Sequence, residues 1–258
     1  MSYSGHLQGD IHSHCWFYES VRRSFEYDGY GETCGGITAI SLTAFMLESY
    51  FNLSCKQIFD SKSKVEKLLD SPPDNLFEQL DLKTERSTDI YEKLAIAYGF
   101  KSQSENLITA LCNQLYKKKK ERFTKLCKSK SFYDIDDEIR FSPKAKFAAL
   151  SDVLYTEDAL KLEHDAMVQR IFDIRNSLAH GRSEFVKQSF TIISSNNDAF
   201  SSEMVPPLQA SWQANCSLEN AKCLFDKACE VITFISTRAF DDDMPFVMPT
   251  QIGAFTPG

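Results

Sequence analysis

The sequence is poor in the residues that turn a chain sharply, with only 10 glycines and 8 prolines among 258 residues. Sandwiches and barrels need many tight turns, so this scarcity argues against either architecture. No uncharged apolar run reaches the roughly 18 residues that a membrane span requires. Hydrophobic residues nevertheless form 43% of the chain, including 20 Phe and 10 Tyr, which is enough for a substantial core.

Several patterns that carry chemistry are also absent. No two of the eight cysteines are spaced as Cys-x-x-Cys, so a zinc ribbon or a thioredoxin-type motif is excluded. Most cysteines lie in apolar periodic segments, and we interpret them as reduced structural thiols. No Gly-x-x-x-x-Gly-Lys phosphate loop occurs, which argues against ATP hydrolysis. Because the first ten residues lack the order of a signal peptide, we expect a soluble cytoplasmic protein with no membrane partner.

Apolar residues recur at helical spacing along most of the chain. Segment 36–55 is apolar nearly all round and predicts a buried helix. A capping-box pattern predicts one long helix over 102–127. Further helices are predicted to begin at Ser142-Pro143 and to occupy 157–179 and 217–240. These segments predict a mainly α protein, with an antiparallel helical bundle as the default arrangement.

The remaining segments show no clear helical period. We interpret residues 1–34 as an irregular N-terminal segment and residues 241–258 as a mobile tail. Branched and aromatic residues predict a small strand and loop insertion near 185–215. Without an internal repeat or a linker-like composition break, the chain 1–258 is predicted to form one domain, with its core at about 36–240.

The most informative stretch is Arg175-Asn176-Ser177-Leu178-Ala179-His180-Gly181, at the predicted C-terminal end of a helix. Asn176 and His180 are i, i+4 neighbours, whereas Arg175 lies about 140° around the helix from His180. An imidazole can move a proton near neutral pH, and a guanidinium can hold phosphate oxygens. The alternative is a helix cap, because Arg and His followed by Gly suit a helix C-terminus.

A narrow polar strip interrupts the apolar helix at 36–55. It consists of Ser41, Glu48 and Asn52, which fall on one line along the helix. A carboxylate in such a setting should be paired, and an Arg or His from another helix is the expected partner of Glu48. The alternative is that Glu48 lies near the surface at a helix end.

Positive charge is concentrated at 116–130, where eight Lys and Arg residues face a single Glu in a chain of net charge −7. Such a face could attract phosphate, with Tyr116 and Phe123 as stacking partners for bases. The alternative is a solvated helix face. The candidate RNA-binding residues are Lys117, Lys118, Lys119, Lys120, Arg122 and Lys125.

The other histidines considered, His12, His14 and His164, are interpreted as structural residues. His12-Ser13-His14-Cys15 offers two or three metal ligands, but nothing downstream completes a tetrahedral set at a familiar spacing. We therefore expect neither a metal nor another cofactor. His164 precedes apolar residues at helical spacing, which predicts a histidine at the edge of the core rather than a catalytic one.

The pattern Arg175-Asn176-x-x-x-His180-Gly181 resembles the signature of the HEPN superfamily, the higher eukaryotes and prokaryotes nucleotide-binding domains. Ala44-x-x-x-Glu48-x-x-x-Asn52 is similar to the first core helix of that family. The resemblance covers the helical framework from about 36 to 240. Two departures are a segment at 60–160 that is longer than a minimal domain needs and the insertion at 185–215.

The resemblance implies a helical bundle and, for many members, a metal-independent endoribonuclease. Such enzymes serve toxin–antitoxin, phage-defence and RNA-processing systems, and their site typically forms where two protomers meet. The implied partners are RNA, a second copy of the chain and an antitoxin or regulatory protein. By position, His180 would be the general acid or base and Arg175 the phosphate clamp, with Asn176 as polar orienter and Glu48 as acidic support. Other members lack activity, so the alternative is a non-catalytic RNA- or nucleotide-binding or regulatory module.

Overall fold

A computed structural model describes residues 3–8, 12–26, 31–70, 72, 76, 87–180, 212–247 and 252–257. Within these ranges the protein is mainly α, as predicted. The helices are α1 (Ser13–Glu26), α2 (Gly31–Phe59), α3 (Ser61–Asp70), α4 (Ser87–Ala97), α5 (Phe100–Asn113), α6 (Lys117–Leu126), α7 (Phe132–Ile139), α8 (Pro143–Leu154), α9 (Asp158–Ala179) and α10 (Leu218–Phe240). A 3₁₀ turn, Gln213–Cys216, precedes α10.

Helix α2 is the centre of the bundle. Its residues Ile40, Ala44, Leu47 and Phe51 are fully buried, and α1, α5, α8, α9 and α10 all pack against it. By length and composition Thr33–Phe59 could also cross a membrane, but 56% of its most apolar window is already buried inside the protein. The all-round apolar pattern therefore marks a core helix surrounded by other helices, which confirms the prediction.

Helices α9 and α10 run in opposite directions. Along α9, Arg170 donates to Asn220 of α10 at 2.8 Å. Glu163, two turns earlier on α9, accepts from Lys227, two turns later on α10, at 3.0 Å. Because the contacts progress in opposite senses along the two helices, α9 and α10 are antiparallel. This arrangement agrees with the predicted antiparallel bundle.

Serine side chains fix the starts of two helices where the sequence predicts them. The Ser142 hydroxyl accepts a hydrogen bond from the Ala145 amide at 3.2 Å, and Pro143 occupies the first turn of α8. The Ser217 hydroxyl accepts from the Asn220 amide at 3.1 Å at the start of α10. Each bond satisfies an amide that has no partner inside its own helix.

The prediction of one helix over 102–127 is wrong. The first helix, α5, begins earlier, at Phe100, after Gly99 in the left-handed conformation with φ of 69°. A second helix, α6, follows after an extended residue, Tyr116. The turn between them lets α6 direct Phe123 into the core, where its ring meets that of Phe141 at 5.5 Å. The free energy gained by burying this aromatic ring outweighs the loss of a continuous helix.

The description of residues 1–34 as irregular is also wrong, because Ser13–Glu26 forms helix α1. Cys15 and Val21 are buried, and Tyr18 and Phe25 pack against the same core. These four residues follow each other at intervals of three and four, so the helical period is present in the sequence. The scattered polar and aromatic residues around them obscured it.

The C-terminal segment is packed as far as residue 247, so the predicted mobile tail is wrong there. The Phe246 ring stacks on that of Tyr18 with centroids 4.3 Å apart. Beyond it, strand β2 (Ile252–Pro257) pairs antiparallel with strand β1 (Tyr3–Gln8). The insertion predicted near 185–215 falls almost wholly within 181–211, outside the described residues, and stays a prediction.

A buried lysine ties α2, α7 and α8 together. The Lys146 ammonium group donates to Asn52 Oδ1 at 2.6 Å and to Asp136 Oδ2 at 2.5 Å. Asp136 also accepts from the Phe141 amide at 3.1 Å through its other oxygen. Lys146 is only 2% exposed, so these bonds replace the water that the ammonium group loses on folding.

Replacing this lysine tests the role of the cluster. Lys146→Ala leaves the Asp136 carboxylate without its cation, and we expect the free energy of unfolding to fall by about 3–5 kcal/mol. The matched control is Lys144→Ala on the same helix, whose partner Asp173 is mostly exposed. That change should cost at most about 1 kcal/mol. Equal effects in urea denaturation of the two variants would contradict the buried-pair interpretation.

Candidate functional site

Arg175 extends from α9 to α2. Its Nη2 lies 3.7 Å from Glu48 Oε2, and the two side chains are 30% and 33% exposed. The expectation that an Arg from another helix pairs with Glu48 is therefore confirmed. Because both groups keep partial access to water, the pair is not a fully buried salt bridge, and a ligand can reach it.

Two further contacts orient the guanidinium of Arg175. Its Nη1 donates to the Asn176 side-chain oxygen at 3.0 Å. Its Cζ lies 5.4 Å from the centre of the Phe45 ring, which is 39% exposed. We call these four residues (Phe45, Glu48, Arg175 and Asn176) the Arg175 cluster. Among the hydrogen bonds of the described residues, the guanidinium donates to a side chain and to no carbonyl of its own helix, so a simple helix cap does not describe it.

His180 is the last residue that the structure describes at this end of α9. Its backbone is right-handed, with φ of −82° and ψ of −7°, and its amide donates to the Asn176 carbonyl at 3.0 Å. The two side chains therefore lie one turn apart on the same side of the helix. The His180 side chain is exposed, and its ring has no hydrogen-bond partner among the described residues.

The four predicted catalytic residues are thus unequally placed. Arg175, Asn176 and Glu48 are joined by direct contacts, whereas His180 adjoins them through Asn176 without touching the guanidinium. A cavity of about 200 Å³ lies beside the last turns of α9, but it belongs to another face of the helix. Its lining residues are Asp173, Ile174, Ser177, Leu178, Trp212 and Asn215.

The polar strip on α2 serves two different cations. Glu48 contacts Arg175, while Asn52, one turn later, accepts from the buried Lys146. Sequence reasoning missed Lys146 and its partner Asp136, because a lysine at helical spacing normally indicates an exposed face. The only signal in the sequence was the set of apolar neighbours of Lys146, Ala145, Phe147 and Ala149 among them.

Part of the basic run has a structural role. Lys119 donates to the Ile139 carbonyl at 2.8 Å, at the end of α7. Arg122 at 2.6 Å and Lys130 both pair with Glu138, and these cations hold the pKa of that carboxyl below its usual range. The contacts of Lys119 and Arg122 fasten α6 to α7, and Lys130 adds a bridge from the turn between the two helices. Of the predicted RNA-binding residues, Lys119 and Arg122 are therefore already engaged.

The other lysines of α6 remain open to a ligand. Lys117, Lys118 and Lys125 are exposed, Lys120 is half-buried, and no ion pair forms on these four within the described ranges. Tyr116, at the start of the helix, is 88% exposed, so its ring can stack on a base. Phe123 is fully buried, and its prediction as a stacking partner is wrong because the ring fills the core.

His164 belongs to the core, as predicted. It is buried, and its Nδ1 is hydrogen-bonded to the Tyr155 hydroxyl at 2.6 Å. The Phe234 ring lies against both rings, at 5.9 Å from His164 and 4.2 Å from Tyr155. Burial lowers the pKa of His164, although the charges of Glu163 and Glu230 oppose the shift. The ring therefore stays neutral and structural.

No family model matches the chain, and no match is found among curated proteins or among solved structures.

The lowered pKa of His164 makes stability depend on pH. An unfolded histidine titrates near 6.5 and binds a proton that the folded, buried ring resists, so stability decreases as pH falls below about 6.5. Between pH 7.5 and 5.5 we expect His164→Gln to lose less free energy of unfolding than the wild type, by on the order of 1 kcal/mol. Urea titrations at both pH values measure this difference. Parallel losses in the two proteins would assign the effect to other groups.

Proposed function

We propose that the protein is a metal-independent endoribonuclease of HEPN type and that the Arg175 cluster with His180 is its active site. The observation that supports this proposal is the contact of Arg175 with Glu48 on a different helix. Arg175, Asn176 and Glu48 are the residue types that the HEPN resemblance names, and a helix cap alone would not need a pair between Arg175 and Glu48. The cytoplasm, where RNA is abundant, is the proposed place of action.

In the proposed reaction, His180 accepts the proton of a ribose 2′-hydroxyl, and that oxygen attacks the adjacent phosphorus. The bond from phosphorus to the 5′ oxygen breaks, and the leaving oxygen takes up a proton from the imidazolium or from water. The products are a 2′,3′-cyclic phosphate and a 5′-hydroxyl end. His180 suits this role because its side chain is exposed, so a substrate can reach the imidazole.

Arg175 stabilises the negative charge that grows on the phosphoryl oxygens as the bond forms. Glu48 and Asn176 hold the guanidinium from two sides, so little ordering remains when the phosphate arrives. The amide nitrogen of Asn176 is directed to a substrate oxygen, since its carbonyl oxygen is taken by Arg175. Each group therefore has a separate task in the proposed site.

The proposed partners are RNA, a second copy of the chain and an antitoxin or other regulatory protein. A dimer with two Arg175 clusters at one cleft provides walls that the exposed site of a single chain lacks. The exposed lysines of α6 attract the RNA backbone, which offsets the overall charge of −7. No cofactor takes part in this mechanism.

Substitutions in the site test the chemistry. We expect His180→Ala and Arg175→Ala each to slow cleavage of bulk and structured RNA by at least about 100-fold, because each removes a group that acts in the transition state. Ser177→Ala, an exposed change in the same turn of α9, should cleave like the wild type. The assay is run with and without EDTA, and the product ends are tested for a cyclic phosphate.

Cleavage at the wild-type rate by both site variants would contradict the proposed site. Cleavage that EDTA abolishes while the fold persists would contradict metal independence. If no protein cleaves RNA, but the wild type binds it and Arg175→Ala does not, the non-catalytic binding module replaces the nuclease. These outcomes separate the nuclease from the binding module.

The role of α6 is tested by binding. Replacing Lys117, Lys118, Lys120 and Lys125 together by Ala should weaken binding of single-stranded RNA and make it less dependent on salt. The slope of log K against log salt should shrink by about 0.7 for each phosphate that the variant no longer neutralises. Lys101→Ala with Lys222→Ala, two exposed lysines on other helices, is the control. An unchanged slope in the α6 variant would contradict this RNA-binding role.

A further inference from the structure

His12, His14 and Cys15 form a compact group of donors at the start of α1. One ligand atom from each residue lies within 4.8 Å of the others. His14 and Cys15 are buried, and His12 is half-buried, so the group lies below the surface with one open side. We call these three residues the His-His-Cys group. It lies on the opposite side of α2 from Glu48, since His14 packs edge-on against Tyr50 at 4.9 Å.

The two nitrogens of the His14 ring have different surroundings. Nε2 donates to the Pro245 carbonyl at 2.8 Å. Nδ1 is buried and finds no hydrogen-bond partner among the residues that the structure describes. A bare nitrogen lone pair inside a protein is costly unless something binds it. Histidines that bind metals typically donate one ring nitrogen to a backbone carbonyl and give the other to the metal.

The remaining surroundings also suit a cation. The Cys15 sulfur lies 3.6 Å from the His14 ring nitrogen Nε2, and its thiol contacts the Pro245 carbonyl at 3.7 Å. The Asp242 carboxylate belongs to the same turn after α10, three residues before Pro245. Asp242 is held in place by the Ser236 hydroxyl at 3.1 Å and the Met244 amide at 2.9 Å.

We propose that the His-His-Cys group binds a zinc-like divalent transition metal ion, with Asp242 as the neighbouring negative charge. Two imidazoles and a thiolate are the ligand types that zinc prefers, and three protein ligands leave a fourth position for water. Ligand atoms around tetrahedral zinc lie about 3.3–3.8 Å apart, so the group has to contract, and the Cys15 sulfur, which lies beside Nε2, has to move toward Nδ1. Binding displaces the Cys15 proton to solvent.

The proposed ion has a structural consequence. The group follows directly on the segment that carries β1, and its partner carbonyl at Pro245 precedes the segment that carries β2. A metal ion here fixes the start of α1 against the turn after α10, positions that are more than 200 residues apart in the chain. The proposal is independent of the nuclease proposal, since the group shares no residue with the Arg175 cluster.

Titration with Zn²⁺ and Co²⁺ tests the site in the full-length protein after removal of metals by a chelator. We expect one ion per chain, a rise in melting temperature with Zn²⁺, and a thiolate-to-cobalt charge-transfer band with Co²⁺. Cys15→Ser should abolish the band. His12→Gln, at a less buried position, should weaken Zn²⁺ binding at least tenfold, which keeps the test valid if Cys15→Ser fails to fold.

The matched control is Cys223→Ser, which removes an exposed thiol on α10 and should leave stoichiometry, band and melting shift unchanged. A band that persists in Cys15→Ser, or Zn²⁺ affinity that is equal in His12→Gln and the wild type, overturns the proposal. The proposal is also overturned if the wild-type protein binds neither Zn²⁺ nor Co²⁺ tightly.

Discussion

The burial of α2 is the constraint on which the rest of the structure depends. A helix that is apolar nearly all round gains stability only when other helices remove it from water, and seven helices of the described part of the chain pack on it. The few polar side chains on such a helix then need partners from the surrounding helices. Glu48 pairs with Arg175, and Asn52 accepts a hydrogen bond from Lys146. Both contacts follow from the need of polar groups on a buried helix for partners.

The two cations differ in their access to water, and this difference decides which of them a ligand can reach. Lys146 is enclosed by its partners and contributes to stability. Arg175 has a comparable acidic partner but remains partly exposed, next to an exposed histidine. A charged group that is fixed by neighbours yet open to solvent is prepared to bind a ligand, because little ordering remains to be done. The Arg175 cluster meets this description.

Helical segments with long, uniform periods could be predicted from the sequence. Segment 36–55 and the starts of α8 and α10 are such cases, since spacing and a capping serine act locally. The break between α5 and α6 could not be predicted, because it depends on where Phe123 finds room in the core. The packing of Phe246 on Tyr18 joins residues 228 positions apart, which no local pattern indicates.

The sequence by itself determined the helical class, the central helix and the need of Glu48 for a cationic partner, because these follow from local periodicity and the cost of a buried charge. Only the tertiary structure decided which cation meets which polar residue of α2. It also decided that part of the basic run binds α7 and that His12, His14 and Cys15 adjoin the turn at Pro245. These pairings depend on how the helices pack, and side chains far apart in sequence meet only once the core has formed.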